Sequence, residues 1–198
     1  GSIRVFANCL TRLAWTNATI ARAAGTRFVT VPAGRFEVTA YTVETPDGRK
    51  LGFEIESTSM VTIDRELAAR TGLPLGEEWL AVVGFRRADD ADAPICRTEY
   101  YINRSFAAVG RMLQNHTGPI FPLLEDLFGI SIVEVRQEIA AVQISPELGA
   151  SLKVAPGTPA LQMQRMYMTS DSEIAQVTVN THPSSRFRHS MTMRRVKG

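Results

Sequence analysis

The chain has 198 residues, 44% of them apolar and 21% charged, with a formal charge of +2. That length buries roughly 70% of the unfolded surface in one sizeable core, and the scattered basic residues do not form the concentrated footprint that nucleic-acid binding needs. No apolar run approaches the ~20 residues of a bilayer span, and no secretory signal follows Gly1-Ser2, which reads as the scar of a removed tag.

Leu10, Leu13, Ala14, Thr16, Ile20 and Ala24 recur at helical spacing and predict an amphipathic helix over 10–24, ended by Gly25. Residues 26–32 are β-rich and stop at Pro32, and Arg35–Glu44 alternates as a strand. Thr45-Pro46-Asp47-Gly48 is a turn signal, because Pro presets φ and Asp-Gly accepts positive φ. Leu51–Ile63 returns as a second strand, so 35–63 reads as a long hairpin. Asp64 can cap a short helix, Arg65–Thr71, that Gly72 ends. Strand Trp79–Arg87, an Asp/Ala-rich loop over 88–93 and strand Pro94–Ile102 follow. Residues 104–117 look helical as far as Gly118-Pro119, and Phe121–Phe128 makes another short helix ended by Gly129. Strand Ile130–Ile144, helix 146–152, strand 159–168, a turn at Ser170–Ser172 and strand 173–181 complete the main body. Phe187–Arg194 adds an edge strand, and the basic end (Arg194, Arg195, Lys197) reads as a solvated tail. Cys9 and Cys96 lie far apart and are expected as reduced thiols, with one disulfide as the alternative.

Two stretches resemble each other at an offset of 81 residues, LAARTGLPLGEEWLAVVGFR from Leu67 and LGASLKVAPGTPALQMQRMY from Leu148. Leu67 meets Leu148, Leu73 meets Val154, Gly76 meets Gly157 and Leu80 meets Leu161. Each copy is a short helix, a Pro/Gly turn, a strand, a polar hairpin and a second strand. Two such copies suggest helix-plus-hairpin halves sharing one antiparallel sheet, an α+β fold.

The usual signatures of catalysis are not written here. His116, His182 and His189 stand in no metal-ligand spacing, and no nucleophile elbow, phosphate loop or dinucleotide fingerprint occurs. The carboxylate pairs Glu77-Glu78 and Asp89-Asp90 fall in turns, where solvation accounts for them. The expectation is a protein that binds without turnover, with neither cofactor nor metal.

The second half resembles a known family. Ala140, Leu148, Leu152, Val154, Gly157, Pro159, Ala160, Leu161 and Arg165 follow the pattern A…L…L-x-V-x-x-G-x-P-A-L-x-x-x-R. His182, Pro183, Arg186 and Phe187 supply a closing HP-x-x-RF. Together these resemble the effector-binding (UTRA) domain of HutC-subfamily GntR regulators, whose fold is like that of chorismate lyase. The resemblance covers residues 57–198, leaving 3–56 as a helix-and-hairpin extension with no winged-helix pattern.

That resemblance implies a cytoplasmic regulator, a homodimer formed through this domain, and a metabolite that changes operator affinity. DNA would be contacted only through a winged helix missing from this chain, and no membrane partner is expected. In sugar-phosphate-sensing relatives an R-x-R pair grips the anion; here those positions are Gly84 and Arg86. A relative's glutamate falls on Thr98, with Cys96 and Tyr100 on the same face by alternation. Its counterpart in the second copy falls near Ala175, with Gln176 close by. The expected ligand-binding residues are thus Arg86, Thr98, Tyr100, Arg165, Gln176 and His182, and the expected ligand is a carboxylate or similar small anion. For Arg86 the alternative is a surface pair with Asp89 or Asp90, and for Arg165 a structural brace; Tyr101, Phe106, Met163 and Tyr167 are expected in the core. Two other functions remain open: a chorismate-lyase-like enzyme acting on a small carboxylic acid, and a purely oligomerising domain.

Overall fold

Cap and turn residues mark off the helices in the computed structural model, which describes residues 6–7, 27–31, 34–43, 51–88, 91–116 and 119–195. The Asp64 carboxylate accepts from the Leu67 amide at 2.8 Å and Gly72 closes the turn at φ 72°, bounding α1 at Arg65–Thr71. α2 (Ile120–Phe128) ends at Gly129 with φ 65°, and α3 (Pro146–Leu152) starts from Ser145 with proline in its first turn. A run of 3₁₀ turns, Arg104–Asn115, replaces the helix expected over 104–117, and a single 3₁₀ turn spans Ser184–Arg186.

The strands are β1 (Phe6–Ala7), β2 (Arg27–Val31), β3 (Gly34–Val43), β4 (Leu51–Thr62) and β5 (Glu78–Ala88). They continue as β6 (Cys96–Asn103), β7 (Ile132–Gln143), β8 (Pro159–Thr169), β9 (Ile174–Pro183) and β10 (Arg188–Arg195). Seven form one antiparallel sheet in the order β1-β7-β8-β9-β6-β5-β4, and three form a second, β10-β3-β2. The helix over 10–24, Cys9, the turn at 45–48, Asp89-Asp90 and Lys197 lie outside the described residues.

One expectation is overturned. The 35–63 segment is not a hairpin, because β3 pairs with β2 and β10 while β4 pairs with β5 in the other sheet. A Pro-Asp-Gly signal specifies a reversal of the chain but not which strand comes to lie beside which, and non-local partners decide that here. β4 also runs without interruption across residues 56 and 57, where the extension was expected to meet the main domain.

The large sheet reads 4-5-6 from one edge and, inside the short edge strand β1, 7-8-9 from the other, meeting where β6 pairs β9. The two halves share local hydrogen bonds 81 residues apart. Gly76 N–H donates to Ile63 O and Gly157 N–H to Ile144 O, both at 2.8 Å, with φ of 82° and 78° at the glycines.

Strand alternation divides the side chains between two faces. The first face carries Leu80, Val82, Tyr100, Ile102 and Tyr167, packed on Phe106, Val109, Leu113, Ile120 and Leu124 from the 3₁₀ segment and α2. On the second face Trp79, Ala81, Tyr101, Val177 and Val179 meet Leu67 and Ala68 of α1, and Phe85 and Ala160 meet Leu148 and Leu152 of α3. Tyr101, Phe106, Met163 and Tyr167 are all buried, as expected of core residues.

Candidate functional site

At the end of the first face beyond the 3₁₀ segment and α2, the buried side chains turn polar. The register explains which ones meet. Arg86 pairs Cys96, Gly84 pairs Thr98 and Val82 pairs Tyr100 across β5 and β6. Thr98 then pairs Asn180 and Tyr100 pairs Thr178 across β6 and β9. Across β9 and β8, His182 pairs Leu161, Asn180 pairs Met163, Thr178 pairs Arg165 and Gln176 pairs Tyr167. Arg86, Thr98, Tyr100, Arg165, Gln176 and His182 therefore all share one face, carried on four adjacent strands.

They do not all share one spot. Gln176 lies six residues along β9 from His182, about 20 Å at the strand rise, beside Tyr167 and Ile102 under the core helices. Its Nε2 donates to Thr178 Oγ1 at 2.8 Å, while its buried Oε1 has no partner among the described residues. Arg165 donates through Nε to Gln137 Oε1 at 2.8 Å, leaning towards β7. Arg86, Thr98, Tyr100 and His182 form the tighter group.

Within it the bonds are specific. An Arg86 terminal nitrogen donates to the Tyr100 hydroxyl at 2.7 Å, and Thr98 Oγ1 donates to Asn180 Oδ1 at 2.8 Å. Cys96 is a fully buried thiol with Sγ 3.6 Å from Thr98 Oγ1. The Arg86 guanidinium lies 5.7 Å from the centroid of Phe53, whose ring meets Tyr100 edge-on at 5.4 Å. Phe53 comes from β4, which shifts register between Ile55 and Ser57 where it passes Gly84. A Cβ at residue 84 would overlap the Glu54 carbonyl oxygen, so a neighbouring backbone takes the place of any side chain there. On its outer side Phe53, with Ile55, Leu80, Ala107, Gly110 and Arg111, lines an open cleft of about 810 Å³.

His182 is the least satisfied member. Its ring stacks on Phe187 at 4.0 Å and 21°, and its buried Nδ1 has no partner among the described residues. An orphaned buried polar atom costs about 1–3 kcal/mol. Burial, then the charges of Arg165 and Arg86, push the His182 ring down to about 3. Burial and Arg165 also lower His189, on β10. The charges of Arg165 and Arg86 thus both reach the His182 ring, whose Nδ1 leaves a hydrogen-bonding position open, an arrangement that suits a small anion. The closing Arg186 serves another purpose, donating to the carbonyl oxygens of Pro94 and Leu152 at 2.5 and 2.7 Å and tying β10's approach to both halves. No group of three or more metal-ligating side chains occurs among the described residues.

Sequence reasoning missed Phe53, Asn180 and a charged network on the second face. Asn180 was accessible, being two residues from His182 and so on the same face of its strand. Phe53 gave no such signal, since the pairing of β4 with β5 is non-local. In the network, Arg70 donates to Glu99 Oε2 and to the Tyr101 hydroxyl, both at 2.7 Å. Tyr101 donates to the same Glu99 oxygen at 2.7 Å, and Arg97 lies 3.4 Å from the other. Burial opposes ionisation of Glu99, but Arg70, Tyr101 and Arg97 outweigh it and hold the carboxyl below its ordinary range.

Comparison with known proteins places these features in context. The model of the UTRA domain matches residues 47–188. The HTH-type transcriptional regulator Rv0792c of Mycobacterium tuberculosis is 28% identical over 113 residues, 56% of this chain and 42% of the regulator. The chain thus matches less than half the length of that relative. Among solved structures, one described as the ligand-binding domain of a GntR-family transcriptional regulator from Bordetella bronchiseptica is similar, with TM-score 0.61 and 22% identity over 72% of this chain and 88% of that one. A GntR-family transcriptional regulator from Enterococcus faecalis gives 0.59 and 21%, over 69% of this chain and 96% of that one. The effector domain of PhnF from Mycobacterium smegmatis gives 0.58 and 16%, over 69% and 83%. At these identities the structural likeness shows the fold.

Proposed function

The chain belongs to the UTRA domain family, the effector-binding domain of GntR-family transcription regulators, and from that premise we propose that it senses a small anion at the Arg86–His182 corner of its sheet. The observation that carries this reading is the buried, incompletely satisfied His182 at the polar end of the first face, where Arg86 is held by Tyr100 and Phe53. A carboxylate suits it better than a phosphate ester, because Gly84 leaves one arginine where relatives place two, and one bidentate guanidinium matches one carboxylate. The remainder of the proposal follows the family pattern: a cytoplasmic HutC-type regulator, a homodimer formed through this domain, and DNA contacted by a separate winged helix. Effector binding would shift the population of dimer arrangements, and the coupling must be reciprocal.

The test is a thermal-shift scan against small carboxylic acids, amino acids and sugar phosphates. A ligand at a hundred times its Kd adds about 2.7 kcal/mol, which raises Tm by roughly 5–11 °C in a domain of this size. A carboxylic acid that stabilises the chain, is recovered unconsumed and is lost on Arg86→Ala supports the sensor. Turnover of that acid would instead favour a lyase-like enzyme. Unchanged affinity in Arg86→Ala would remove Arg86 from the site.

A further inference from the structure

His182 is fixed in a buried place with one ring nitrogen unpartnered among the described residues. Its ring is clamped on Phe187 by the turn over Ser184–Arg186, and its exposure is only 4%. Arg86 from β5 pairs Cys96 from β6 on this face, the charges of Arg165 from β8 and Arg86 reach the ring, and that of Arg165 also reaches His189 on β10. None of these four side chains brings a negative charge in its ordinary state, and the nearest carboxylate of β6, Glu99, points to the opposite face. Protonating the ring would bring a charge into a buried place, which desolvation opposes first and the charges of Arg165 and Arg86 oppose further. The ring therefore stays neutral well below neutral pH, near 3.

We propose that His182 is the proton acceptor of the anion site, so that a small anion held by Arg86 beside the ring binds together with one proton. The inference rests on the anion-sensor reading of this face. An anion reverses the sign of the field at the ring, and the open Nδ1 gains an acceptor for the proton it takes up. The imidazolium then donates to the ligand oxygen, with the proton drawn from solvent and no other bond changed. Histidine fits this position where lysine or arginine would not: it allows the empty site to exist without another buried permanent cation, yet offers a charged donor once the ligand is present. Affinity should then rise as pH falls, by up to about tenfold per unit for one linked proton.

The experiment uses the full chain with two probes, sulfate and benzoate, neither of which titrates between roughly pH 5 and 8. With three histidines in the sequence, ring ¹H–¹³C resonances can be assigned with His→Gln variants. The expected result is that a saturating probe moves the His182 titration upward from its ligand-free range. In parallel, His182→Gln binds the probe with flat pH dependence and His189→Gln keeps the slope. Binding that leaves the His182 resonance unmoved, or a slope that survives His182→Gln, overturns the proposal and leaves the anion site standing. If neither probe binds anywhere in that range, the anion-site reading falls and takes the proposal with it. Should His182→Gln fail to fold, the wild-type resonances alone decide.

Discussion

Strand β6 places two polar sets back to back, and they differ in how completely they are satisfied. On one side Glu99 and Tyr101 close with Arg70 and Arg97 into a network in which both carboxylate oxygens are engaged. On the other, Thr98 and Tyr100 belong to a group that leaves His182 Nδ1 without a partner among the described residues. A satisfied buried network rigidifies a core, whereas an orphaned buried atom costs stability unless something else completes it. The difference fits the proposed reading, in which the second face braces the sheet and the first binds the ligand.

The largest effect that can break this comparison is the pH dependence of stability. His182 in the folded chain titrates near 3, below its ordinary 6.5, so on acidification the unfolded chain takes the proton first. Stability is then fully present above about pH 6.5 and is lost progressively down to about pH 3. The total is on the order of 5 kcal/mol at ~1.4 kcal/mol per unit. Denaturant unfolding of wild type and His182→Asn across that range should show a steep and a flattened profile. The lowered carboxyl of Glu99 adds loss only at the acid end, where that network protonates. Identical slopes in both proteins would mean that burying the His182 ring carries no such cost.

Next in size is Arg70→Ala. The Arg70 side chain is 30% exposed and Glu99 10%, so the variant leaves a nearly buried carboxylate with only Tyr101 and the longer Arg97 contact. About 3 kcal/mol of stability should disappear in urea unfolding, with ligand affinity unchanged. If affinity falls as far as stability, the two faces are one coupled device and their division of labour is wrong.

Gly84→Ala sharpens the same line. The new methyl collides with the backbone of β4 at Glu54 and should cost about 2–3 kcal/mol. Because β4 also carries Phe53 to Arg86, affinity should drop along with stability, measured by calorimetry on the folded fraction.

Local signals made the helices legible. Asp64 and Gly72 gave α1 its limits, and the site residues fell on one face because alternation survives whatever the partner strands are. What stayed hidden is non-local. The turn at 45–48 could not reveal that β3 and β4 go to different sheets, nor could Gly84 announce the bulge that explains it. In sequence it reads as a lost arginine. Glu99 and Arg70 are 29 residues apart, and nothing in either neighbourhood names the other. The one available hint was a carboxylate midway along a strand that otherwise reads as buried.

The smallest expected effect tests the comparison most finely. Tyr100→Phe keeps the ring edge-on to Phe53 but removes the hydroxyl that accepts from Arg86. Losing one hydrogen bond to a charged donor at a half-buried position should cost about 1 kcal/mol of stability. If the bond serves to aim the guanidinium, ligand affinity should fall by a comparable ~5-fold, because the arginine must then be ordered at the moment of binding. Stability lost with affinity intact would make the Arg86–Tyr100 bond a brace of the kind Arg70 makes on the other face. The recognition would then have to come from Arg165 and His182 alone.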